Sequence, residues 1–310
     1  MTLPTSVILL DDETEAIATG LRKSLPGLKI HSGGAEPTSP YAIIAFAPGK
    51  RIANYPNADW VHVSGAGANF MIDDLQAHDL RPAMMTRTLG QMGKQIAEYV
   101  LSYFLADAQR HTTRASLQAA QTWDRDAALP TLIRGQRAII FGTGGIGRTI
   151  ATTLSYLGVS CTGVNRSGSL VEGFANCIAA TKLPMDVSGF DICINALPHT
   201  PQTQGTFDHA LLSAFQSCFF INIGRGSTVV ATDLLTALTD GSLRHAILDV
   251  FEIEPLPANS QLWTHPAVTI TPHVSGLTLP QDTVEAFVAA YHALKNGTPV
   301  PLRVDPTRGY

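Results

Sequence analysis

Three short segments of this 310-residue chain carry the polar side chains that chemistry at a carbonyl group requires. In Ile221-Asn222-Ile223-Gly224-Arg225-Gly226 an arginine stands between two glycines, on backbone that can come close to a ligand. Its guanidinium fork can hold a carboxylate through two hydrogen bonds and polarise the carbonyl beside it. In Ile270-Thr271-Pro272-His273 a histidine follows a strand-like run, where an imidazole can deliver a proton to a developing alkoxide. A neighbouring carboxylate favours the protonated ring. The segment Leu248-Asp249-Val250-Phe251-Glu252-Ile253-Glu254-Pro255 offers two glutamates for this, and residue types alone leave both open. Glu254 has an extended pre-proline position that can aim it inward, and Glu252 is its rival.

A fourth segment supplies a reaction partner for these groups. The apolar run Arg137-Ala138-Ile139-Ile140-Phe141 leads into Gly142-Thr143-Gly144-Gly145-Ile146-Gly147, with the spacing G-x-G-x-x-G. The first glycine permits a tight turn, the second lets backbone approach a pyrophosphate, and the third lets helix and strand pack closely. The anion would sit on N–H groups at a helix N-terminus, where the dipole favours negative charge. Ile150, Leu154 and Leu157 continue as a helix face, and Val159 to Val164 reads as a second strand. Strand, turn, helix and strand in succession point to a dinucleotide site that includes Gly142, Gly144, Gly145, Ile146 and Gly147. The second strand ends on Asn165-Arg166-Ser167 with no carboxylate. An acidic residue there would bind a ribose 2′-hydroxyl, whereas an arginine and a hydroxyl suit a 2′-phosphate. The expected cofactor is NADP(H), with NAD(H) possible. Asp249, at a strand end, is placed to accept a hydrogen bond from a nicotinamide carboxamide.

The elements that must position these residues alternate in the manner of an α/β protein. Short runs at Val7 to Leu10, Leu28 to His31, Tyr41 to Phe46 and Trp60 to Val63 are separated by polar helical stretches such as Glu13 to Ser24. Alternation of this kind implies a parallel sheet covered on both faces. From Gln91 to Arg110 a helical period is long enough to link two domains. The alternation then resumes through Phe190 to Asn195, Cys218 to Ile223, Ala246 to Val250 and Val268 to Ile270, so six strands are expected in the second sheet. The helical tail Gln281 to Asn296 should return to the first domain. The expected architecture is two doubly wound parallel-sheet domains, with a Rossmann dinucleotide-binding domain (91–279) inserted into a smaller flavodoxin-like substrate-binding domain (1–90 and 280–310). Ligands of such sheets bind beyond the carboxyl ends of the strands, so the polar segments should converge.

Bulk properties exclude several other classes. The formal charge of −4 comes with no Lys/Arg run, which speaks against a nucleic-acid partner. Cys161, Cys177, Cys193 and Cys218 lie in or beside strand-like runs without C-x-x-C spacing, so neither a disulfide framework nor a metal site is expected. The N-terminal apolar run stops at Asp11-Asp12 after four residues and reads as a strand, not a signal peptide. No stretch approaches the roughly 18 apolar residues of a spanning helix. No membrane partner and a cytoplasmic location are expected.

Taken together, G-T-G-G-I-G-R, I-N-I-G-R-G, L-D-V-F-E-I-E-P-L-P, L-W-T-H-P-A-V-T-I-T-P-H-V-S-G and the N-terminal V-S-G-A-G resemble the D-isomer-specific 2-hydroxyacid dehydrogenase family, over essentially the whole chain. Gly90 to Tyr99 and the tail Val304 to Tyr310 resemble its glyoxylate/hydroxypyruvate reductase A branch. The resemblance implies that Arg225 binds the substrate carboxylate and carbonyl, that Glu254 rather than Glu252 orients and charges His273, and that His273 is the general acid of reduction. It implies further that amides of Ser64, Gly65, Ala66 and Gly67 hold the substrate carboxylate from the other domain. Leu197, Pro198, Ile223, Gly224, Arg225, Asp249, His273 and Gly276 would line the cofactor. A small 2-oxo acid, glyoxylate or hydroxypyruvate, is the implied substrate, and a homodimer the implied assembly. Domain closure over the cofactor is expected in order to exclude water. Two departures stand out: Ala68-Asn69 after Gly67, and Ala45 where the branch carries a tryptophan. The second suggests a smaller wall and room for a bulkier 2-oxo acid. The alternative from another class is a non-catalytic, dinucleotide-sensing, corepressor-like binding protein.

Overall fold

The strands of the protein, in a computed structural model that describes residues 2–11, 14–38, 40–182 and 186–306, are all short. They are β1 (Ser6–Leu9), β2 (Lys29–Ser32), β3 (Tyr41–Ala45), β4 (Trp60–Val63), β5 (Met84–Arg87), β6 (Arg137–Phe141), β7 (Ser160–Asn165), β8 (Asn176–Ala179), β9 (Ile192–Asn195), β10 (Cys218–Asn222), β11 (Leu243–Leu248) and β12 (Val268–Ile270). The helices among the described residues are α1 (Thr14–Ser24), α2 (Asn69–Ala77), α3 (Met92–Ala108), α4 (His111–Ala119), α5 (Gly145–Tyr156), α6 (His209–Leu212), α7 (Ala231–Thr239) and α8 (Pro280–Asn296). The chain divides into one unit of Met1–Met92 with Leu277–Tyr310 and another of Gly93–Gly276.

In the first unit five parallel strands run in the order β2-β1-β3-β4-β5. Side chains alternate between faces along a strand. Accordingly Val7, Leu9, Ala42, Ile44 and Trp60 pack under α1 and α8, while Ile8, Ile43, Val61 and Val63 pack under α2. The ring of Phe287 on α8 stacks on Trp60 with centroids 4.3 Å apart. Gly20 on α1 permits the close approach of α8, because a Cβ there would lie 2.7 Å from a Val284 methyl. Burying each large side chain of this kind contributes about 1.5–3 kcal/mol.

The second unit holds seven parallel strands in the order β12-β11-β10-β9-β6-β7-β8. The strand order reverses at β6, the switch point where doubly wound sheets bind ligands. Phe141, Phe207 and Phe220 form an aromatic chain in its core, with ring centroids 4.7 and 5.2 Å apart. No helix of the described residues is long and apolar enough to cross a membrane. All four cysteines are free thiols.

Several sequence expectations need correction. The second sheet has seven strands, not six, because β8 is a half-exposed edge strand whose Asn176-Cys177-Ile178-Ala179 carries no continuous apolar run. The first sheet gains β5, since Met-Met-Thr-Arg carries a single β-branched residue and no run of them. The helix read as Gln91 to Arg110 ends at Ala108, and Arg110, at φ 55°, turns the chain into α4. The strand read from Phe190 begins at Ile192. Glu13 and residues 307–310 of the tail lie outside the described residues.

Candidate active site

Register places the polar segments of the second unit on one edge of its sheet. Phe141 pairs with Val164 and with Asn195, Asn195 with Asn222, Asn222 with Leu248, and Leu248 with Ile270. All these strands are parallel, so every following loop leaves from their common carboxyl edge.

The glycine turn has the shape that a dinucleotide needs. Gly142 adopts φ 99°, and a Cβ there would lie 2.7 Å from the Ala196 carbonyl oxygen. At Gly147 a Cβ would sit 1.9 Å from the carbonyl oxygen of Gly142, so the third glycine allows α5 to pack against its own turn. Gly144 faces open space, with no atom within 4 Å of where a Cβ would be, and Gly144 and Gly145 are exposed at the start of α5. Backbone at a helix N-terminus with an unfilled approach is a fit for pyrophosphate. Ile146 is half-buried behind it.

At the end of β7 the three expected residues divide their tasks. The Asn165 amide donates to the Ser169 carbonyl (3.0 Å) and to Thr143 Oγ1 (3.3 Å), while its oxygen accepts the Gly168 N–H (2.7 Å). It therefore builds the turn and ties it to the glycine loop. Arg166 and Ser167 are exposed on that turn.

Arg225 rests on a buried polar lattice that sequence reading missed. The Asn195 amide donates to Asn222 Oδ1 (2.8 Å) and to Thr228 Oγ1 (2.6 Å), and Thr228 donates to the Arg225 carbonyl (2.7 Å). The same two asparagines accept the N–H groups of Leu197 (3.1 Å) and Gly224 (3.2 Å). One lattice thus fixes the loops carrying Leu197, Pro198, Ile223, Gly224 and Arg225. Its signal in the sequence was an asparagine at the end of two successive strands. Gly226 brings the arginine loop onto the next one, since a Cβ there would overlap the backbone of Phe251 at 1.8 Å. The Arg225 guanidinium donates to the Gly224 carbonyl at 2.8 Å. Burial lowers its proton affinity and the Glu254 carboxylate acts in the opposite sense, so the two side chains are within electrostatic reach.

Glu254 and His273 meet directly. Oε2 of Glu254 lies 2.8 Å from Nδ1 of His273, and both side chains are about one-third exposed (32% and 37%). The other oxygen, Oε1, accepts the Phe251 N–H at 2.8 Å, which fixes the carboxylate. Among the described residues Glu252 has no such role and is exposed. The structure thus pairs Glu254 with His273 directly and leaves Arg225 within electrostatic reach of the same carboxylate.

Asp249 anchors the loop of His273. It is fully buried, and its oxygens accept the Thr271 hydroxyl (2.6 Å), the Val274 N–H (2.9 Å) and the Ser275 N–H (2.9 Å). With its oxygens bonded to these protein donors, the carboxylate holds the loop that carries His273 and Gly276.

The turn after β4 also differs in part from expectation. The Ser64 N–H is spent on the Ala45 carbonyl at 3.1 Å and its hydroxyl on Asp11, so Ser64 is not available to a substrate carboxylate. Gly65, Ala66 and Gly67 have no N–H acceptor among the described residues, and the turn enters α2. Arg87 braces it by donating to the Ala66 carbonyl at 3.0 Å. Ala45 is fully buried in the sheet core and forms no wall of the turn. Phe46 takes that place: its ring would be 2.5 Å from a Cβ at Gly65, and it meets Phe70 edge to face at 5.7 Å.

Residues 101–275 match the family described as D-isomer specific 2-hydroxyacid dehydrogenase, NAD binding domain. The chain is 34% identical over 299 residues to a glyoxylate/hydroxypyruvate reductase A of Escherichia fergusonii, covering 94% of each. It superposes with a TM-score of 0.89, at 28% identity, on a D-isomer specific 2-hydroxyacid dehydrogenase of Xanthobacter autotrophicus solved with NADPH and MES, covering 99% of this chain and 100% of that one. An NADPH-dependent glyoxylate/hydroxypyruvate reductase of Sinorhizobium meliloti, solved with NADP and sulfate, gives 0.85 at 25% identity, with 99% and 100% covered.

Proposed function

The chain belongs to the D-isomer specific 2-hydroxyacid dehydrogenase family and is an NAD(P)-dependent oxidoreductase, and on that premise we propose that it reduces glyoxylate or hydroxypyruvate to the 2-hydroxy acid with NADPH preferred over NADH. The observation that carries this reading is the single carboxylate of Glu254, hydrogen-bonded to His273 and within electrostatic reach of Arg225. In the proposed reaction Arg225 binds the substrate carboxylate and draws electron density from the carbonyl oxygen. His273 gives that oxygen a proton through Nε2, because Nδ1 is held by Glu254. Glu254 keeps the ring in this orientation and stabilises its positive charge. The bound reduced nicotinamide supplies the hydride.

The unit Gly93–Gly276 is the dinucleotide-binding domain of this proposal, and Met1–Met92 with Leu277–Tyr310 the substrate-binding one. The preference for NADPH rests on Arg166 and Ser167, exposed on the turn that Asn165 fastens to the glycine loop. The relatives named above that were solved with NADPH or NADP support it. A homodimer and a cytoplasmic location complete the proposal. Loss of reduced-nicotinamide absorbance in a matrix of 2-oxo acids against NADPH and NADH tests the substrate and cofactor together. No turnover of any 2-oxo acid would end the reading, and equal efficiency with both cofactors would end its NADPH part.

Phe46 favours a second substrate reading. With Phe70 it offers partly exposed aromatic surface beside the Gly65–Gly67 amides, which suits a 2-oxo acid with an apolar substituent. Faster turnover of phenylpyruvate than of glyoxylate in the same matrix would select it.

A further inference from the structure

Helix α3 carries a tyrosine that joins the loop of His273 through a directed chain of hydrogen bonds. Tyr99 Oη lies 2.6 Å from Thr271 Oγ1, and the Thr271 hydroxyl donates to Asp249 Oδ1 at 2.6 Å. Threonine has one hydroxyl proton, and that proton is committed to the carboxylate. The short contact between Tyr99 and Thr271 therefore has the phenol as its donor. Burial raises the proton affinity of Tyr99, so the phenol keeps the proton that it donates.

The far end of the chain is the backbone on both sides of His273. Asp249 accepts from Thr271 before it and from Val274 and Ser275 after it, while the His273 N–H bonds the Asp249 carbonyl at 2.9 Å and the Thr271 carbonyl at 3.0 Å. His273 itself adopts φ 55°, a left-handed conformation that a residue with a Cβ rarely occupies. Such a conformation persists only where its surroundings over-determine it. Here the buried carboxylate supplies that constraint, and the direction of the Thr271 proton decides whether the carboxylate is fully bonded. Tyr99 holds the hydroxyl in place for that bond, since its donation to the Thr271 oxygen fixes the side chain whose proton Asp249 accepts.

We propose that Tyr99 is a positioning residue for the general acid, acting through Thr271 and Asp249 to hold the His273 backbone in the left-handed conformation that aims its ring. The proposal rests on the assignment of His273 above, yet the geometry it claims is measurable without turnover.

The experiment compares Tyr99→Phe, Thr271→Val, Thr271→Ser and the Tyr99→Phe/Thr271→Val double variant with the parent. Histidine side chains are labelled with 15N, and the His273 ring signal is identified through its loss in His273→Asn. Loss of one neutral hydrogen bond in the chain should lower kcat about tenfold in Tyr99→Phe, with the KM of the 2-oxo acid and the binding of NADPH within about twofold of the parent. The His273 ring signal should shift in the same variant. Thr271→Ser should recover most of what Thr271→Val loses. The double variant should resemble Thr271→Val alone, because a chain cut once is cut. Parental kcat with an unshifted ring signal, or additive losses in the double variant, would overturn the proposal. A parent that turns over no 2-oxo acid would instead defeat the functional reading, and the ring signal in Tyr99→Phe would still decide whether Tyr99 positions His273.

Discussion

Glu254 holds His273 with one carboxylate oxygen and its own loop with the other: Oε2 is 2.8 Å from Nδ1, and Oε1 accepts the Phe251 N–H at 2.8 Å. Glu254→Gln keeps the shape but replaces a charge-assisted contact with a neutral one, which roughly halves its strength. Reduction by this variant should slow about tenfold or more, with NADPH affinity unchanged. His273→Ala should lose about 10²- to 10⁴-fold in kcat, as expected when a general acid is removed. Steady-state rates with fluorescence titration of NADPH check both, and parental kcat in either variant would remove the residue from the mechanism.

Arg225 presents a planar fork on a loop that Thr228 and Gly226 hold against the next one. Lysine keeps the charge but cannot make two parallel hydrogen bonds. We expect Arg225→Lys to raise KM and lower kcat together, with a loss of about 10²-fold or more in kcat/KM. Kinetics at saturating NADPH read this out. A variant whose efficiency matched the parent would contradict carboxylate recognition by the fork.

Arg166 is exposed, so its removal should spare the fold while weakening the grip on a 2′-phosphate. Arg166→Ala should raise the KM for NADPH about tenfold and leave that for NADH nearly unchanged. The ratio of the two efficiencies measures it. Equal losses with both cofactors would place Arg166 elsewhere in the mechanism or outside it.

His62 gives the first unit a pH dependence of known sign. It is fully buried between Thr86 and Thr88, 2.7 and 3.0 Å from its ring nitrogens, and burial pushes its imidazole down to about 3. An unfolded histidine titrates near about 6.5, so below that pH the unfolded chain binds a proton that the folded chain excludes. Stability is fully present above about 6.5 and falls by about 1.4 kcal/mol for each pH unit below it, until the folded group titrates. Urea midpoints measured from neutral to mildly acidic pH should fall in the parent and fall less steeply in His62→Asn. Identical slopes would show that His62 contributes nothing to the dependence.

Much of the site could be read in the chain because its parts are local. The glycine spacing needs only one turn, and Gly142, Gly144 and Gly147 each meet the steric condition that the motif implies. Arg225, Glu254 and His273 each follow a strand by a few residues, so parallel pairing is enough to bring their loops to one edge. Asn195, Asn222, Thr228 and Tyr99 could not be read in this way. Their importance lies in partners 27, 33 and 172 residues away, and a buried asparagine looks like any other until its neighbours are known. Edge strands β5 and β8 escaped because neither carries the branched apolar run of a central strand: β5 is buried but reads Met-Met-Thr-Arg, and β8 is half-exposed.

The sequence by itself determined the two α/β sheets, the dinucleotide turn and the three chemistry-bearing loops, because periodicity, glycine spacing and strand-end position act over a few residues. Tertiary structure alone decided how the buried polar groups are spent. Asp249 became the anchor of the His273 loop, Ser64 was taken by Asp11 and Ala45, and Phe46, not Ala45, lies against Gly65 in the turn after β4. A buried polar atom must find a partner, and which partner it finds depends on segments that the chain brings together only when folded.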